Sequence, residues 1–320
     1  MRKLRRVHRL SRSRGDGLSN LYLGALAVLA FSFTLPATLV ADKTFGYITV
    51  GLGRAVLVAP IAVIVLKIHR EPLFVPKLLP RLAVVGLGVV VGFPLLTAIA
   101  LQHVTSAHAA VVAGLIPAAT AGMAVFFANE RPSMRYWIAI TFGVVAVLVF
   151  GVDQGAGSLR LSDLVVLLAV IMAGLGYAQG GVLAREYGGW KVISWALVIS
   201  FPILMPITVI SAVFHPYAHI DLPSLFSMSY VSFVSMYLAF FAWYRALARG
   251  GVARIGGIQL MQPFFTLIWS ALLLDEKLDI ISIATAGVVG VAVGIARSAP
   301  IYDWNKQEEM GGGFEVDLEP

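Results

Sequence analysis

The stretch QLMQPFFTLIWSALLLDEK, Gln259–Lys277, has a counterpart earlier in the chain, GLIPAATAGMAVFFANER, Gly114–Arg131. In both stretches a proline, Pro117 or Pro263, interrupts an apolar run, and an acidic–basic pair follows thirteen residues later. The two prolines are 146 residues apart, and a further pair of matching segments, GVVAV and GVVGV, follows in the same order. Similarity that keeps its order along a chain is typical of a duplicated unit. The sequence therefore predicts a protein of two related halves.

The composition indicates that the protein lies in a membrane. Hydrophobic residues make up 59% of the 320 positions and charged residues 13%, and the mean hydropathy is +0.86. A soluble domain could not bury so much apolar surface in its core. The chain has no cysteine, which excludes disulfides, thiolate nucleophiles and sulfur-ligated metals. We expect the lipid bilayer to be the main partner of this chain.

Apolar segments of nearly membrane-spanning length alternate with short charged or turn-rich breaks, and a spanning helix needs roughly 20 such residues. Ten segments cover approximately residues 21–40, 47–66, 79–101, 106–128, 134–152, 162–184, 192–214, 226–248, 252–274 and 280–297. We predict an all-α integral membrane protein with ten transmembrane helices arranged as two inverted five-helix repeats. The predicted parts are a basic N-terminal tail over 1–20, repeats over 21–152 and 162–297, and a C-terminal tail over 298–320.

The distribution of Lys and Arg predicts the orientation in the membrane. The tail Met1–Arg14 carries seven basic residues and no acidic one. Because a spanning segment follows, we interpret this tail as a topology signal rather than a nucleic-acid site. With the tail in the cytoplasm, nearly all basic residues fall on that side; the exceptions are Lys43, Arg54, Arg160 and Lys277. Both termini are then cytoplasmic, and five spans per half give the second half the opposite sense, as in many secondary transporters.

Four segments carry a resemblance to a known family: TSAHAAVVAGLIPAATA, WYRALARGGVARIGGIQLMQPFFT, VGLGRAVLVAP and SDLVVLLAVIMAGLGYAQGGVLARE. As a set they resemble the two EamA-type repeats of the drug/metabolite transporter superfamily, over about Leu21 to Arg297. The resemblance implies a ten-helix inner-membrane carrier of small organic solutes, with a cavity lined mainly by spans 1, 3, 4, 6, 8 and 9. The first span has Ala30-Phe31 where many relatives have a tryptophan, so no particular substrate is implied.

Polar side chains in the ninth span are candidates for binding a solute. Gln259, Gln262 and Thr266 are spaced to lie along one helix face. Polar groups are costly toward lipid, so this face is expected to point into the bundle, for hydrogen bonds between helices or for a solute. Gln262 adjoins Pro263, whose missing N–H frees a backbone carbonyl, and we favour solute contact. Pro117 and Pro263 occupy matching mid-span positions, for which a hinge and a static kink are both open.

The sixth and eighth spans contain further candidates. Tyr177 and Gln179 lie deep in the sixth span among glycines, which we interpret as packing positions, and Tyr177 is a candidate to face a cavity. In the eighth span Tyr230, Tyr237 and Tyr244 repeat every seven residues and predict one aromatic stripe, with Tyr237 near mid-span. The residues predicted to anchor at the membrane interface are the other two tyrosines and Trp137, Trp190, Trp195, Trp243 and Trp269.

Charged and titratable residues are few within the spans. Arg54 is a candidate for holding an anionic group, while snorkelling or pairing with Asp42 is its structural alternative. No Asp or Glu lies at the centre of a span, which argues against a carboxylate proton relay. His108, near the end of the fourth span, is another titratable group, and coupling to a proton or ion gradient stays open. We assign Glu276 to the turn that begins the next helix.

Enzymatic function has little support in the sequence. His215, His219 and Asp221 could ligate zinc only if their proline-rich connection were helical. The sequence contains no Ser-His-Asp set, phosphate-binding glycine loop or Walker-type lysine. We therefore expect that the protein is not an enzyme, that it holds no cofactor or metal, and that it binds no nucleic acid.

The predicted function is secondary transport in a bacterial-type inner membrane. The solute is expected to be small, organic, apolar or aromatic, and neutral or zwitterionic, such as an amino acid or metabolite. Export by alternating access between the inverted repeats is the favoured mode. A monomer and a homodimer are both open. The alternatives are a membrane scaffold without transport activity and, with less support, a membrane-embedded enzyme.

Overall fold

The computed structural model describes residues 14–128, 130–154, 160–214, 220–298 and 301–303. These residues form ten helical segments: α1 (Arg14–Ser32, continued by Thr34–Phe45), α2 (Tyr47–Ile68), α3 (Pro76–Ala100), α4 (Ser106–Ala113, continued by Ile116–Phe127), α5 (Met134–Gln154), α6 (Leu161–Tyr187), α7 (Gly189–Phe214), α8 (Leu222–Gly250), α9 (Val252–Gly256, continued by Gly257–Leu274) and α10 (Ile280–Ser298). Two short strands, β1 (Glu130–Pro132) and β2 (Ile301–Asp303), pair antiparallel. Most of both predicted tails and the loop histidines His215 and His219 lie outside the described residues.

Eight helices in the described part of the chain are long and apolar enough to cross a membrane. The other two, α5 and α10, contain shorter apolar stretches, Met134–Ala146 and Ile280–Ala292. Large apolar side chains cover the outside of the bundle, for example Ile203 and Ile210 of α7, which are 66% and 57% exposed. Such a surface is stable against lipid and not against water. The predicted helical membrane architecture is confirmed, with the β1–β2 pair as an addition.

The connections between helices collect at two ends of the bundle, because successive helices run in opposite directions. We name these the Asp42 end, where α1, α3, α5, α7 and α9 finish, and the Glu71 end, where α2, α4, α6, α8 and α10 finish. The β1–β2 pair joins the connection after α4 to the chain after α10 and so belongs to the Glu71 end. With five helices in each half, the second half runs through the bundle in the opposite sense to the first.

The first helix of each half packs against the third and fourth helices of the other half. Helix α1 contacts α8 and α9, and α6 contacts α3 and α4. We name these two regions the α1 junction and the α6 junction. The second helices, α2 and α7, pack on each other, as do the fifth helices, α5 and α10. This exchange follows the internal symmetry of a duplicated chain with inverted halves.

The third and fourth helices of the two halves share their irregularities. The third helices widen into π-helical turns at Gly86–Gly92 of α3 and Tyr230–Leu238 of α8. The fourth helices are interrupted, α4 by a turn before Ile116 and α9 by the 3-10 turn Gly257–Met261. In both, the next helical segment has its proline in the first turn, where a missing N–H removes no helical hydrogen bond.

The interruptions of α4 and α9 lie against each other. A Cβ atom added to Gly114 of α4 would lie 3.2 Å from Cγ of Pro263 in α9. A Cβ atom added to Gly256 of α9 would lie 3.3 Å from the Thr120 methyl group in α4. The two helices therefore approach closely where neither has continuous backbone hydrogen bonding. A hinge at Pro117 and Pro263 stays a prediction.

The tyrosines of α8 do not form the predicted stripe. Tyr230 donates a hydrogen bond to a backbone carbonyl of α1, Tyr237 bonds to Ser194 of α7, and Tyr244 donates to the Gly176 carbonyl of α6. The wider turns of the π-helical segment Tyr230–Leu238 rotate Tyr230 away from the face of Tyr237. Tyr244 is fully buried, so its assignment as an interface anchor was also wrong.

Candidate functional site

Four aromatic side chains meet where α1, α6 and α8 approach each other. Phe31 of α1 lies 5.2 Å from Phe240 of α8 and 6.2 Å from Tyr177 of α6, measured between ring centroids. Trp243 of α8 lies 5.4 Å from Tyr177. None of the four is more than 4% exposed. We name these residues the aromatic cluster; their offset and edge-to-face contacts are the favourable geometries for aromatic pairs.

Glycines in α6 set the position of Tyr177. A Cβ atom added to Gly180 would lie 2.3 Å from the Tyr244 ring, and one added to Gly176 would lie 2.5 Å from a Val89 methyl group. The missing side chains bring α8 and α3 close to α6 on either side of Tyr177. The interpretation of these glycines as packing positions agrees with these contacts.

Two amide side chains of α9 adjoin the aromatic cluster. Gln259 lies in the 3-10 turn and Gln262 begins the helix that follows. The Gln259 Nε2 group donates a hydrogen bond of 3.4 Å to Oε1 of Gln262, and the Tyr177 hydroxyl makes a polar contact with Gln259. Both glutamines are buried, at 1% and 6% exposure. The interruption of α9 thus brings two predicted residues together with a third, Tyr177 of α6.

Two polar atoms in this region have no hydrogen-bond partner among the described residues. They are Oε1 of Gln259 and Nε1 of Trp243, both fully buried. A buried acceptor or donor without a partner costs about 1–3 kcal/mol, and such groups are rare in folded proteins. The region therefore offers one free acceptor and one free donor beside aromatic faces.

Thr266 lies one helical turn beyond Gln262, and its hydroxyl is already engaged. It donates to the backbone carbonyls of Ser32 and Gln262, at 2.7 and 3.0 Å. The Ser32 carbonyl is at the interruption of α1, and the Ser32 hydroxyl accepts a hydrogen bond from Nε1 of Trp269. Thr266 thus joins α9 to the interrupted part of α1, while its role in binding stays a prediction.

Three other predicted residues lie on different surfaces. Gln179 is buried in α6, two residues from Tyr177 and thus on nearly the opposite face of the helix. Tyr237 contacts Ser194 and Phe241 and faces α7. Arg54 belongs to α2 and makes its hydrogen bonds within α1 and α2. The structure therefore brings Gln259, Gln262 and Tyr177 together and leaves these three elsewhere.

Arg54 is buried rather than snorkelling, at 1% exposure. Its Nε donates to the Val50 carbonyl at 3.0 Å, and its Nη2 donates to the Thr38 hydroxyl at 3.1 Å. Asp42 is its electrostatic partner, and Gln102 donates to Asp42 at 3.3 Å. This network joins α1, α2 and the end of α3 near the Asp42 end. Pairing with Asp42 was one of the alternatives open from the sequence.

Two polar contacts near the Asp42 end were missed by the sequence analysis, and the first of them is buried. Nε2 of His108 in α4 lies 2.6 Å from Oδ1 of Asp163 in α6, with side chains only 8% and 4% exposed. Glu276 accepts hydrogen bonds from the backbone N–H groups of Ser106 and Ala107. It therefore caps α4, and its assignment to the start of the next helix, α10, was wrong. A carboxylate at a helix N-terminus is favourable wherever it comes from in the sequence.

Two tryptophans in the described part of the chain are buried rather than at the surface. Trp195 and Trp243 are 3% and 0% exposed, so their assignment as interface anchors was wrong. Trp195 donates from Nε1 to the Pro72 carbonyl. The spacing of Phe240, Trp243 and Tyr244, at i, i+3 and i+4, indicates a single aromatic helix face. That signal was available in the sequence and could have identified the aromatic cluster.

The zinc hypothesis gains no support in the described residues. No group of three or more His, Asp or Glu side chains is placed there to hold a metal ion. Asp221 instead caps α8 by accepting a hydrogen bond from the Ser224 N–H group. Hydrogen bonding to Ser224 holds the pKa of Asp221 below its ordinary value of 3.8, because the bonds favour the carboxylate.

Comparison with known proteins agrees with this architecture. The model of the EamA-like transporter family matches residues 18–152 and again residues 160–297. The chain belongs to the EamA-like transporter family. Two matches to one family model also account for the duplicated fold. This EamA-like chain is therefore a multi-pass membrane transporter and not an enzyme.

Two curated relatives and one solved structure are similar to this EamA-like chain. The "Uncharacterized transporter YdeK" of Bacillus subtilis (strain 168) is 44% identical over 276 residues, which cover 86% of this chain and 95% of the relative. A "Probable terminal-alkyne amino-acid exporter" of Streptantibioticus cattleyicolor is 25% identical over 278 residues, 85% of this chain and 89% of the relative. A solved crystal structure with 15% identity matches at a TM-score of 0.62 over 88% of this chain and 98% of its own. This last likeness shows the fold alone.

Proposed function

We propose that this transporter exports small amino acids or amino-acid-like metabolites with apolar side chains. The observation that carries the proposal is the buried Gln259–Gln262 amide pair next to Tyr177 and the aromatic cluster. Aromatic faces suit an apolar side chain, and they also attract an ammonium group through the ring quadrupole. Amides offer both donors and acceptors to a polar backbone. The site therefore suits a solute with a polar head and an apolar body.

A relative supports the amino-acid class. The Streptantibioticus protein, named a probable terminal-alkyne amino-acid exporter, covers most of this chain. A terminal alkyne is a small, apolar and unsaturated side chain. Such a group is compatible with the rings of Phe31, Tyr177 and Phe240, which pack on one another and together form an apolar surface.

Alternating access between the repeats is the proposed mode of transport. The inverted halves supply two related arrangements, and the interruptions of α4 and α9 meet at Gly114 and Pro263. In the proposed orientation both termini are in the cytoplasm of a bacterial-type cell, as the excess of Lys and Arg near the Glu71 end favours. The Asp42 end then faces outward. All residues of the proposed site belong to one chain, so the proposal requires no second copy.

The test is binding by the purified protein, followed by flux. Thermal unfolding in detergent is measured with amino acids, organic acids, nucleosides and cationic drugs, for the wild type and Gln262→Leu. A ligand at about 100 times its Kd adds about 2.7 kcal/mol to the free energy of unfolding. We expect apolar amino acids to stabilise the wild type and to lose this effect in Gln262→Leu. Reconstituted vesicles should then release the same labelled amino acid.

Gln102→Leu is the matched control. Gln102 is an exposed glutamine that bonds to Asp42 at the Asp42 end, outside the proposed site. We expect this variant to bind amino acids as the wild type does. Equal binding by Gln262→Leu would remove the site from α9. Binding without flux would favour a membrane scaffold over a carrier.

A further inference from the structure

Two of the buried polar atoms without partners among the described residues, Nε1 of Trp243 and Oε1 of Gln259, belong to side chains next to the same residue, Tyr177. The Trp243 ring packs against Tyr177 at 5.4 Å, and Gln259 makes a polar contact with the Tyr177 hydroxyl. We infer that Nε1 of Trp243 binds the carboxylate, and Oε1 of Gln259 the ammonium group, of a zwitterionic α-amino acid. This inference rests on the proposed function and names the atoms and the charge state of its solute.

Trp243 is an unusual donor for its position. Tryptophans of membrane proteins commonly lie at the interface, where the indole N–H can reach water. Trp243 is fully buried, and its Nε1 has no partner in the described part of the chain. Trp195, another deeply buried tryptophan, does have one, the Pro72 carbonyl at 2.7 Å. The N–H of Trp243 is therefore the free donor of this region.

Gln259 is held so that its oxygen remains free. Its Nε2 is engaged by Oε1 of Gln262, which leaves Oε1 of Gln259 as the atom without a partner. A neutral amide oxygen accepts hydrogen bonds and cannot donate them. An ammonium group is the donor class that it would bind best, because hydrogen bonds to charged groups are stronger than those between neutral groups.

The absence of charged side chains from the aromatic cluster and the two glutamines favours solutes without net charge. All of these side chains are uncharged. A buried net charge without a countercharge is strongly unfavourable. A zwitterion carries both signs on neighbouring groups, so it brings its own countercharge and matches one free donor and one free acceptor. Organic acids and simple amines would each leave one charge and one protein atom unpaired.

The experiment compares a terminal-alkyne α-amino acid with two derivatives. Its carboxamide lacks the negative charge, and its N-acetyl derivative lacks the positive charge. Binding is measured by calorimetry on purified protein in detergent near pH 6. The wild type is expected to bind the parent at least about tenfold more tightly than either derivative, which corresponds to the value of one hydrogen bond to a charged group.

Two variants test the two proposed contacts, from Trp243 and from Gln259, one at a time. Replacing Trp243 by 3-benzothienylalanine keeps the ring shape and removes the N–H donor. We expect affinity for the parent to fall about 10- to 100-fold, and affinity for the carboxamide, whose neutral oxygen accepts a weaker hydrogen bond, to fall by less than about tenfold. Gln259→Met removes the acceptor and should weaken the parent and the carboxamide, which carry the ammonium group, more than the N-acetyl derivative, which has only a neutral amide N–H. Trp137→Phe, at a tryptophan that is 44% exposed on α5, is the control and should change none of the affinities.

The outcomes distinguish this inference from the proposed function. If the wild type binds the amino acid and the two variants weaken all three compounds equally, Trp243 and Gln259 act only through packing, and the inference is overturned. If the variants bind the parent as the wild type does, the inference also fails, while the proposed function stands. If the wild type binds none of the three compounds, the amino-acid class itself is wrong and both fail together.

Discussion

The α1 junction and the α6 junction occupy equivalent places in the two halves, yet they are packed differently. In the α6 junction the backbones nearly touch: a Cβ atom on Gly174 would lie 2.6 Å from the Ala119 carbonyl carbon, and one on Gly88 would lie 2.6 Å from the Gly176 nitrogen. In the α1 junction a Cβ atom on Gly24 would meet only side-chain atoms, the nearest at 3.0 Å. Side chains, including the ring of Phe31, fill the remaining space there.

The polar groups of the two junctions differ in the same way. Asp163, in the segment Leu-Ser-Asp that begins α6, is bound by His108 of α4. The corresponding segment of α1 is Leu-Ser-Asn, which ends at Asn20. Oδ1 of Asn20 is buried and has no partner among the described residues. A buried His–Asp contact thus holds the α6 junction, while the α1 junction has no equivalent contact at Asn20 among the described residues.

This difference in packing suggests that, of the two junctions, the α1 junction is the better suited to the proposed binding of a solute. Close backbone packing does not deform easily, because neither partner has a side chain that can rotate away. Aromatic and amide side chains can change rotamer and can exchange partners. We therefore expect the α1 junction to open and to bind the solute, while the α6 junction stays closed.

The largest expected effect is the loss of the buried pair in the α6 junction. His108→Leu leaves the Asp163 carboxylate buried with its ring partner removed, which should lower the free energy of unfolding by about 3–5 kcal/mol. Unfolding in mixed detergent micelles measures this change. The double variant His108→Leu/Asp163→Leu should recover part of the loss. Asn20→Leu, in the α1 junction, should change the free energy of unfolding by less than about 1 kcal/mol. A larger loss would show that Asn20 also stabilises its junction, as His108 and Asp163 stabilise theirs.

Adding one methyl group to each junction is the second test. Gly174→Ala places a Cβ atom against the Ala119 backbone, and we expect overpacking to cost about 1–3 kcal/mol. Gly24→Ala meets the flexible end of Ile258 and should cost less than about 0.5 kcal/mol. The same unfolding assay compares the two variants. Equal losses would mean that the two junctions are equally tight.

Local opening can be measured directly, because the chain has no cysteine. Ala27 of α1 and Ala173 of α6 are both buried, at 1% and 0% exposure. We expect Ala27→Cys to react with a maleimide about tenfold faster than Ala173→Cys, since a smaller opening free energy exposes it more often. Labelling in native vesicles gives the rates. Faster labelling of the α6 position would reverse the assignment of the mobile junction.

The smallest effect is expected from an exposed contact of the α6 junction. Arg81 of α3 and Glu186 of α6 form an ion pair of 3.1 Å, with side chains 36% and 45% exposed. Because water and salt screen such a pair, Arg81→Ala should cost less than about 1 kcal/mol. The difference from the wild type should shrink further in high salt. A cost near that of His108→Leu would show that the ends of the helices, rather than the buried contacts, hold this junction.

Much of the fold was predictable, because the bilayer imposes strong local rules. Ten apolar segments and two matching proline motifs predicted the helices and the two halves. The polar face of α9 predicted Gln259 and Gln262 as buried residues, since polar groups avoid lipid. The tyrosine stripe failed because a π-helical segment changed the register of α8.

The partners of individual side chains were much less predictable. Trp243 was assigned to the interface by a general tendency of tryptophan, but the helices that surround it bury it completely. Glu276 was assigned to the helix after it in sequence, but its carboxylate caps α4, some 170 residues away. In both cases the deciding contact comes from a distant part of the chain.

The sequence alone determined the class of this protein, its duplicated halves and the apolar faces of its helices, because length, hydropathy and repeat motifs are local properties. Only the tertiary structure decided that Phe31, Tyr177, Trp243 and Gln259 lie together, and that the α6 junction is closed by glycines and a buried pair. Those contacts depend on how helices from opposite halves cross. Close packing between distant segments sets that crossing, and the pattern within any one helix does not.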